Sequence, residues 1–408
     1  MKYIIAIPDG AADNVSDFPS AATPLRRAET PTLDYLANHG HTAWAKTVPD
    51  GLHPGSDVAC LSIFGYNPAE VYSGRAPLEA ASQGIQLGND VCFRCNLVTI
   101  DQGRMKEFTA GHISTPEARE LIHALNSSLS QEGVRFYPGV QYRHLMVAPA
   151  GMGDLACTPP HDILDQEIEP HQPHGASADP ANELMLKSRE VLAQHPVNQK
   201  RIDAGKPPAT QIWLWGQGTE PAIQPYDQRI GLAGGVITAV DLIRGIGKLA
   251  GLRVIEVEGA TGLPDTNFEG KAQAALDVLQ EDDFVCIHVE ATDEMGHQGD
   301  LELKTQSARD FDQRLVRHVI EGLNERGEAF RILVLPDHPT PLSLRTHTRE
   351  PVPFLLYDSR NPAQQGSEGY SEIAVRNRSN QLVWGYRLLD ALAEKNSLQE
   401  IEVNQPAA

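Results

Sequence analysis

Residues 283–300 read DFVCIHVEATDEMGHQGD. Phe284 to Val289 form a short run of apolar, largely β-branched residues interrupted by one histidine, the pattern of a buried strand. Asp293 and His297 come next at i,i+4 spacing, which puts both side chains on one face if the segment is helical. In an open α/β sheet, ligands bind outside the carboxyl ends of the strands, so the residues just past each strand carry the function. The same arrangement recurs twice in the chain. YIIAIP (3–8) is followed by Asp9, and RILVLP (331–336) by Asp337 and His338, with His347 in the loop before VPFLLY (352–357).

Helical patterns separate these strands. TPTLDYLANHG has Thr30 as a candidate N-cap, Pro31 at the first helical position and Gly40 as a stop. Residues 181–195, 235–251, 269–280 and 303–327 read as further helices, and IWLWG and RVIEVEG as strands. This alternation predicts a doubly wound, mostly parallel α/β sheet. Residues 78–178 differ in character, with strands CFRCNLVTI, RMKEF, VRFYP and QYRHLMVA around the amphipathic segment PEARELIHALNSSLSQEG. They are expected to form an inserted α+β domain. A discontinuous catalytic domain of residues 1–77 and 179–408 would then surround it. The final QPAA reads as a frayed tail.

Composition narrows the class. The 408 residues carry 34 basic and 54 acidic side chains, a net charge of −20, so bulk electrostatics disfavours nucleic acid and anionic membranes as partners. An anionic substrate then needs a local positive site. The N-terminal apolar run stops at Pro8, too early for a signal peptide, and no stretch is long enough to span a bilayer. Five cysteines are too few and too irregular for a disulfide framework, which fits a reducing, cytoplasmic compartment. Cys92 and Cys95 form a CxxC inside a strand-like run and read as packing residues.

The strand-end residues Asp9, Asp293, His297, Asp337, His338 and His347 are carboxylates and imidazoles without a thiolate. That set suits Mn²⁺, Mg²⁺ or Zn²⁺ in a catalytic site and not a closed structural zinc. Its size exceeds what one catalytic ion takes from protein, so two ions are expected. Ser56, in HPGSDVACLSIFGY (53–66), stands at the start of a helical segment. It reads either as an N-cap or as a nucleophile favoured by the helix N-terminus and a nearby cation.

The motifs IPDGAAD, HPGSDVACLSIFGY, VYSGRAPLEAAS, EATDEMGHQGD, LPDHPTP and THTREPVPF, in that order, resemble the alkaline phosphatase superfamily. More closely, they resemble its archaeal-type cofactor-independent phosphoglycerate mutases. The resemblance implies one metal ion on Asp293, His297 and His347, and a second on Asp9, Ser56, Asp337 and His338. It further implies two divalent ions, Mn²⁺ in first place with Mg²⁺, Zn²⁺ or Co²⁺ as alternatives, and no bisphosphoglycerate cofactor. Ser56 would take the phosphoryl group of 3-phosphoglycerate and return it to the other hydroxyl, and the insert would act as the lid that carries substrate contacts. Arg75, Arg94, His112, Arg143 and His144 are the candidate substrate contacts, since arginine forks suit carboxylate and phosphate. The proline after Asp337-His338 and the motifs QYRHL, CTPPHD and HPVN leave other acceptors open on the same centre. These are homoserine, in a kinase-like phosphotransferase, or water, in a phosphomonoesterase.

Overall fold

The computed structural model describes every residue except 131, 132, 363, 365 and 404–408, so the QPAA tail lies outside the described residues. Among the described residues thirteen strands run along the chain. The first two are β1 (Lys2–Pro8) and β2 (His41–Lys46). Then come β3 (Val91–Asp101), β4 (Arg104–Glu107), β5 (Arg135–Tyr137), β6 (Arg143–Ala148) and β7 (Gln211–Gly218). The rest are β8 (Gly234–Ile237), β9 (Arg253–Ile255), β10 (Phe284–Val289), β11 (Phe330–Val334), β12 (Val352–Asp358) and β13 (Leu382–Trp384).

They form two sheets in two units. Residues 1–71 and 222–408 build an eight-stranded sheet in the order β13-β2-β12-β11-β1-β10-β8-β9. Among the described strands of this sheet, only the pairings of β12 with its neighbours β11 and β2 are antiparallel. The central strands β1 and β10 are buried along most of their length, as expected for parallel strands covered on both faces. Helices Phe268–Glu281 and Pro31–His39 pack their apolar stripes on this sheet through Ala272, Ala275 and Leu279, and through Leu33, Leu36 and Ala37. Thr30 does not cap the latter helix with its side chain. The Asp312 carboxylate does so from a distance, accepting Leu33 N at 2.7 Å and Thr32 N at 3.2 Å. Asp312 is presented by a π turn, Phe311–Val316, inside the helical stretch 301–325.

Residues 72–221 build the second unit, around a five-stranded sheet in which β3 pairs with β4, β6 and β7. Helices Thr115–Leu129 and Ala178–Ala193 share its apolar core. The unit is wider than the stretch 78–178 expected from sequence. The reason is β7, which returns to pair with β3 (Arg94 opposite Trp215) and carries 179–221 with it. Cys92 and Cys95 are buried in β3 as free thiols.

Residues 235–251, read as one helix, are in fact β8 followed by the helix Asp241–Leu249. A Cβ on Gly234 would lie 2.0 Å from the Phe284 carbonyl oxygen, so the glycine lets β8 and β10 approach as paired parallel strands. Among the described residues, no helix is long and apolar enough to cross a membrane.

Candidate active site

The carboxyl ends of β1, β10 and β11 gather the site in the larger unit. In register, Ile7 pairs with His288 and Ala6 with Val334, so the chain leaves adjacent strands at Asp9, Glu290 and Leu335. The next turns bring Asp9, Asp293, Asp337 and His338 together. Asp337 and His338 are fully buried, whereas His297 and His347 keep about a third and a quarter of their side chains exposed. The cluster thus runs from a closed floor to an open rim.

At the rim, Asp293, His297 and His347 turn ligand atoms toward one another within 4.8 Å. His297 Nε2 is 2.9 Å from His347 Nε2 and 3.2 Å from Asp293 Oδ2. His297 Nδ1 lies 3.0 Å from the Arg345 carbonyl, which fixes the proton on Nδ1 and leaves Nε2 for a ligand. At the floor, Asp9, Asp293 and His338 form a second such group, so Asp293 belongs to both. His338 Nε2 is 3.2 Å from Asp337 Oδ2 and 3.7 Å from Asp9 Oδ1. The Thr340 hydroxyl donates to Asp293 Oδ1 and lies 3.3 Å from His338 Nδ1, an arrangement that places the ring proton on Nδ1 and bares Nε2. Asp337 Oδ1 accepts the backbone N–H of Gly10 and of its own neighbour His338.

Ser56 is the first residue of the helix Ser56–Ile63, with Gly55 in the N-cap position. Its hydroxyl makes no cap. It points instead at His338 Nε2, 3.2 Å away, and at Asp9 Oδ2, 3.5 Å away. Of the two readings open from sequence, the N-cap is therefore set aside.

The electrostatics of this arrangement calls for a cation. Burial, then repulsion from Asp337 and Asp293, pushes the Asp9 carboxyl well above its usual range. Burial opposes ionisation of Asp293 as well, but hydrogen bonds from His297 and His347 outweigh it and hold that carboxyl well below the usual range. Asp293 in turn raises His297 to about 9, and burial lowers His338. Asp9 Oδ1 is buried, with no hydrogen-bond partner among the described residues. A buried carboxylate oxygen with no partner among the described residues, beside two other carboxylates and the bare Nε2 of His338, fits a divalent metal site, where an ion would also replace the proton on His297 Nε2.

The chain is 50% identical over 396 residues to the 2,3-bisphosphoglycerate-independent phosphoglycerate mutase of Methanosarcina barkeri, covering 97% of this chain and 100% of that one. The chain belongs to this mutase family. The family's own model, described as 2,3-bisphosphoglycerate-independent phosphoglycerate mutase, matches residues 37–198. Two solved structures are similar to the chain, each at 26% identity and covering 97% of it and 99% of the other. They are the PH0037 protein of Pyrococcus horikoshii, with a TM-score of 0.80, and the cofactor-independent phosphoglycerate mutase of Thermoplasma acidophilum, with 0.68.

The candidate substrate contacts all lie in the smaller unit. Arg75 is partly exposed and pairs with Glu79 at 3.2 Å. Arg94 is buried, 3.1 Å from the other Glu79 oxygen and stacked 4.3 Å over Trp215. Arg143 is exposed beside Tyr142, and His112 sits in a left-handed turn (φ 50°). His144 is 1% exposed, and its Nδ1 accepts the Gly139 N–H at 2.9 Å. Burial lowers it to about 3, and the ring supports the turn before β6.

Sequence reasoning missed His288, Thr340 and Thr292, which hold Asp9, Asp293, His338 and the Asp9 carbonyl in place. The signal for His288 was present in FVCIHV: a histidine one step before the end of a fully buried strand needs a polar partner there.

Proposed function

We propose that the protein interconverts 3-phosphoglycerate and 2-phosphoglycerate, with Ser56 carrying the phosphoryl group between the two hydroxyls. The observation that carries this reading is the Ser56 hydroxyl. It forgoes capping its own helix and faces a buried cluster of carboxylates and imidazoles. Asp293, His297 and His347 would hold one divalent ion, and Asp9, Asp337, His338 and Ser56 a second, with Asp293 at the boundary. Bound there, two such ions, Mn²⁺ in our assignment, neutralise phosphate charge and favour the serine alkoxide.

The protein's own groups do the rest. The helix Ser56–Ile63 starts at Ser56, so its positive N-terminal end would favour an anion beside the serine. Ser56 Oγ attacks phosphorus as its proton passes to the leaving glycerate oxygen, and glycerate then re-orients so that its other hydroxyl takes the group back. Its proton passes to the departing serine oxygen. Arg75 and Arg143 are our candidates for the glycerate carboxylate, as guanidinium forks with exposed faces. Water must stay out while phosphoserine persists, or it would hydrolyse.

Phosphorus NMR of purified protein with Mn²⁺ and 3-phosphoglycerate, without bisphosphoglycerate, tests the reading. Appearance of 2-phosphoglycerate is expected. Inorganic phosphate alone, or turnover that survives Ser56→Ala, would overturn it.

A further inference from the structure

In the proposed centre Asp9 must stay ionised while buried and aim one oxygen in a fixed direction. Its two oxygens have different surroundings. Oδ1 is buried with no hydrogen-bond partner among the described residues, whereas Oδ2 lies 2.8 Å from His288 Nε2. His288 is fully buried on β10, directly beside Ile7 of β1. Its other ring nitrogen, Nδ1, is 3.2 Å from the hydroxyl of Thr238, the residue after β8 on the far side of β10. The Thr238 oxygen already accepts the Val240 N–H at 3.0 Å. Lys271 Nζ donates to the His288 carbonyl at 3.0 Å and ties down its backbone.

Donor and acceptor chemistry sets the proton positions. An ionised carboxylate only accepts, so the hydrogen between Asp9 Oδ2 and His288 must sit on Nε2. A neutral ring then has a lone pair on Nδ1, which the Thr238 hydroxyl satisfies as donor. The chain Thr238 O–H to His288 Nδ1, then His288 Nε2–H to Asp9 Oδ2, fixes the rotation of the Asp9 carboxylate. Oδ1 is left facing His338.

We propose that His288, oriented by Thr238, is a positioning residue that aims Asp9 Oδ1 at the metal centre. This rests on the reading of Asp9 as a metal ligand. His288 acts through Asp9, donating a hydrogen bond to the carboxylate and taking no place among the ligands. Partners behind a ligand are worth about 10- to 100-fold in metal affinity.

The test is calorimetric titration of Mn²⁺ into the metal-free full-length protein, with unfolding midpoints recorded before metal is added. His288→Leu should weaken Mn²⁺ binding by about 10- to 100-fold. His288→Gln places an N–H where Nε2 stands and should bind within about threefold of wild type. Thr238→Val should weaken binding less than His288→Leu, and the double variant should be no weaker than His288→Leu alone, since the two act in series.

Wild-type affinity in His288→Leu overturns the proposal. So does a His288→Gln variant as weak as the leucine variant, which would mean the imidazole itself binds metal, and so do fully additive effects. A wild type that binds no Mn²⁺, or an Asp9→Asn variant that binds as well as wild type, overturns the underlying metal-centre reading instead. Metal-free midpoints within about 5 °C of wild type show that folding is not the cause. If the leucine variant does not fold, Thr238→Val and His288→Gln carry the same comparison.

Discussion

Lys304 offers the sharpest test of how the site's loops are held. It is fully buried on the helix Leu301–Asp310 and spans two segments. Nζ donates to Asp13 Oδ2 at 3.0 Å and to the Ala12 carbonyl at 3.3 Å in the loop after β1, and to the Thr340 carbonyl at 2.7 Å after β11. Those are the loops that carry Asp9, Asp337 and His338. Lys304→Met keeps the stem's volume and removes the charge. The Asp13 side chain, itself fully buried, would keep backbone N–H bonds from Asn14 and Leu342 but lose its cation. Removing one partner of a buried pair costs about 3–5 kcal/mol, because the remaining charge stays buried and uncompensated. Taking about 4 kcal/mol, the folded-to-unfolded ratio falls by about three powers of ten, and the unfolding midpoint by about 10 °C. Adding Asp13→Asn should recover part of that loss, since no unpaired carboxylate is then left. Circular dichroism melts and urea titrations of the three variants read this directly. A midpoint within about 2 °C of wild type for Lys304→Met, or a double variant that loses the sum of both single effects, would refute the reasoning.

Burial pushes the Asp312 carboxyl up to about 6, so the folded state favours its protonated form. Its stabilising contribution is complete below the unfolded value of 3.8 and lost as pH rises through about 6, roughly 3 kcal/mol in all. Asp312→Asn should therefore flatten the change in unfolding midpoint between pH 4 and pH 7, and an unchanged slope would count against it. Asp293→Asn, at the junction of the two ligand groups, should reduce Mn²⁺ uptake at both; elemental analysis showing full occupancy would contradict the shared role. Gly234→Ala drives a Cβ onto the Phe284 carbonyl and should lower the unfolding midpoint by about 5 °C or more. An unaffected midpoint would mean that β8 can shift without loss.

The strands that hold the site were legible because a buried parallel strand is a continuous apolar run, and function collects where it ends. Asp9, Asp293 and Asp337 stand out as candidates by position alone. The features that escaped notice depend on contacts distant in sequence. Strand β7 was visible as a strand, but its partner β3 lies over a hundred residues earlier, and local periodicity says nothing of that pairing. The strand β8 vanished into the helical pattern next to it, since Val236 and Ile237 also fit a helix face. Asp312 looked like one more polar residue of a long helix, because its role is to cap a helix some 280 residues away. His288 was hidden by its apolar neighbours, although a buried histidine always raises the question of its partner.

The insertion of the smaller unit between Val71 and Ala222 has a consequence for synthesis on the ribosome. Strand β1 leaves first, yet both its sheet neighbours lie far downstream: Tyr3 pairs with Phe284 and with Arg331. At about 5–20 residues per second, β1 waits roughly 15 to 60 s for β10 to be made. The smaller unit is contiguous, and all its strands emerge within that interval. The nascent chain therefore holds an apolar, unpaired strand while a later segment is already complete. Such a strand is a target for holding chaperones and for pairing with neighbouring chains.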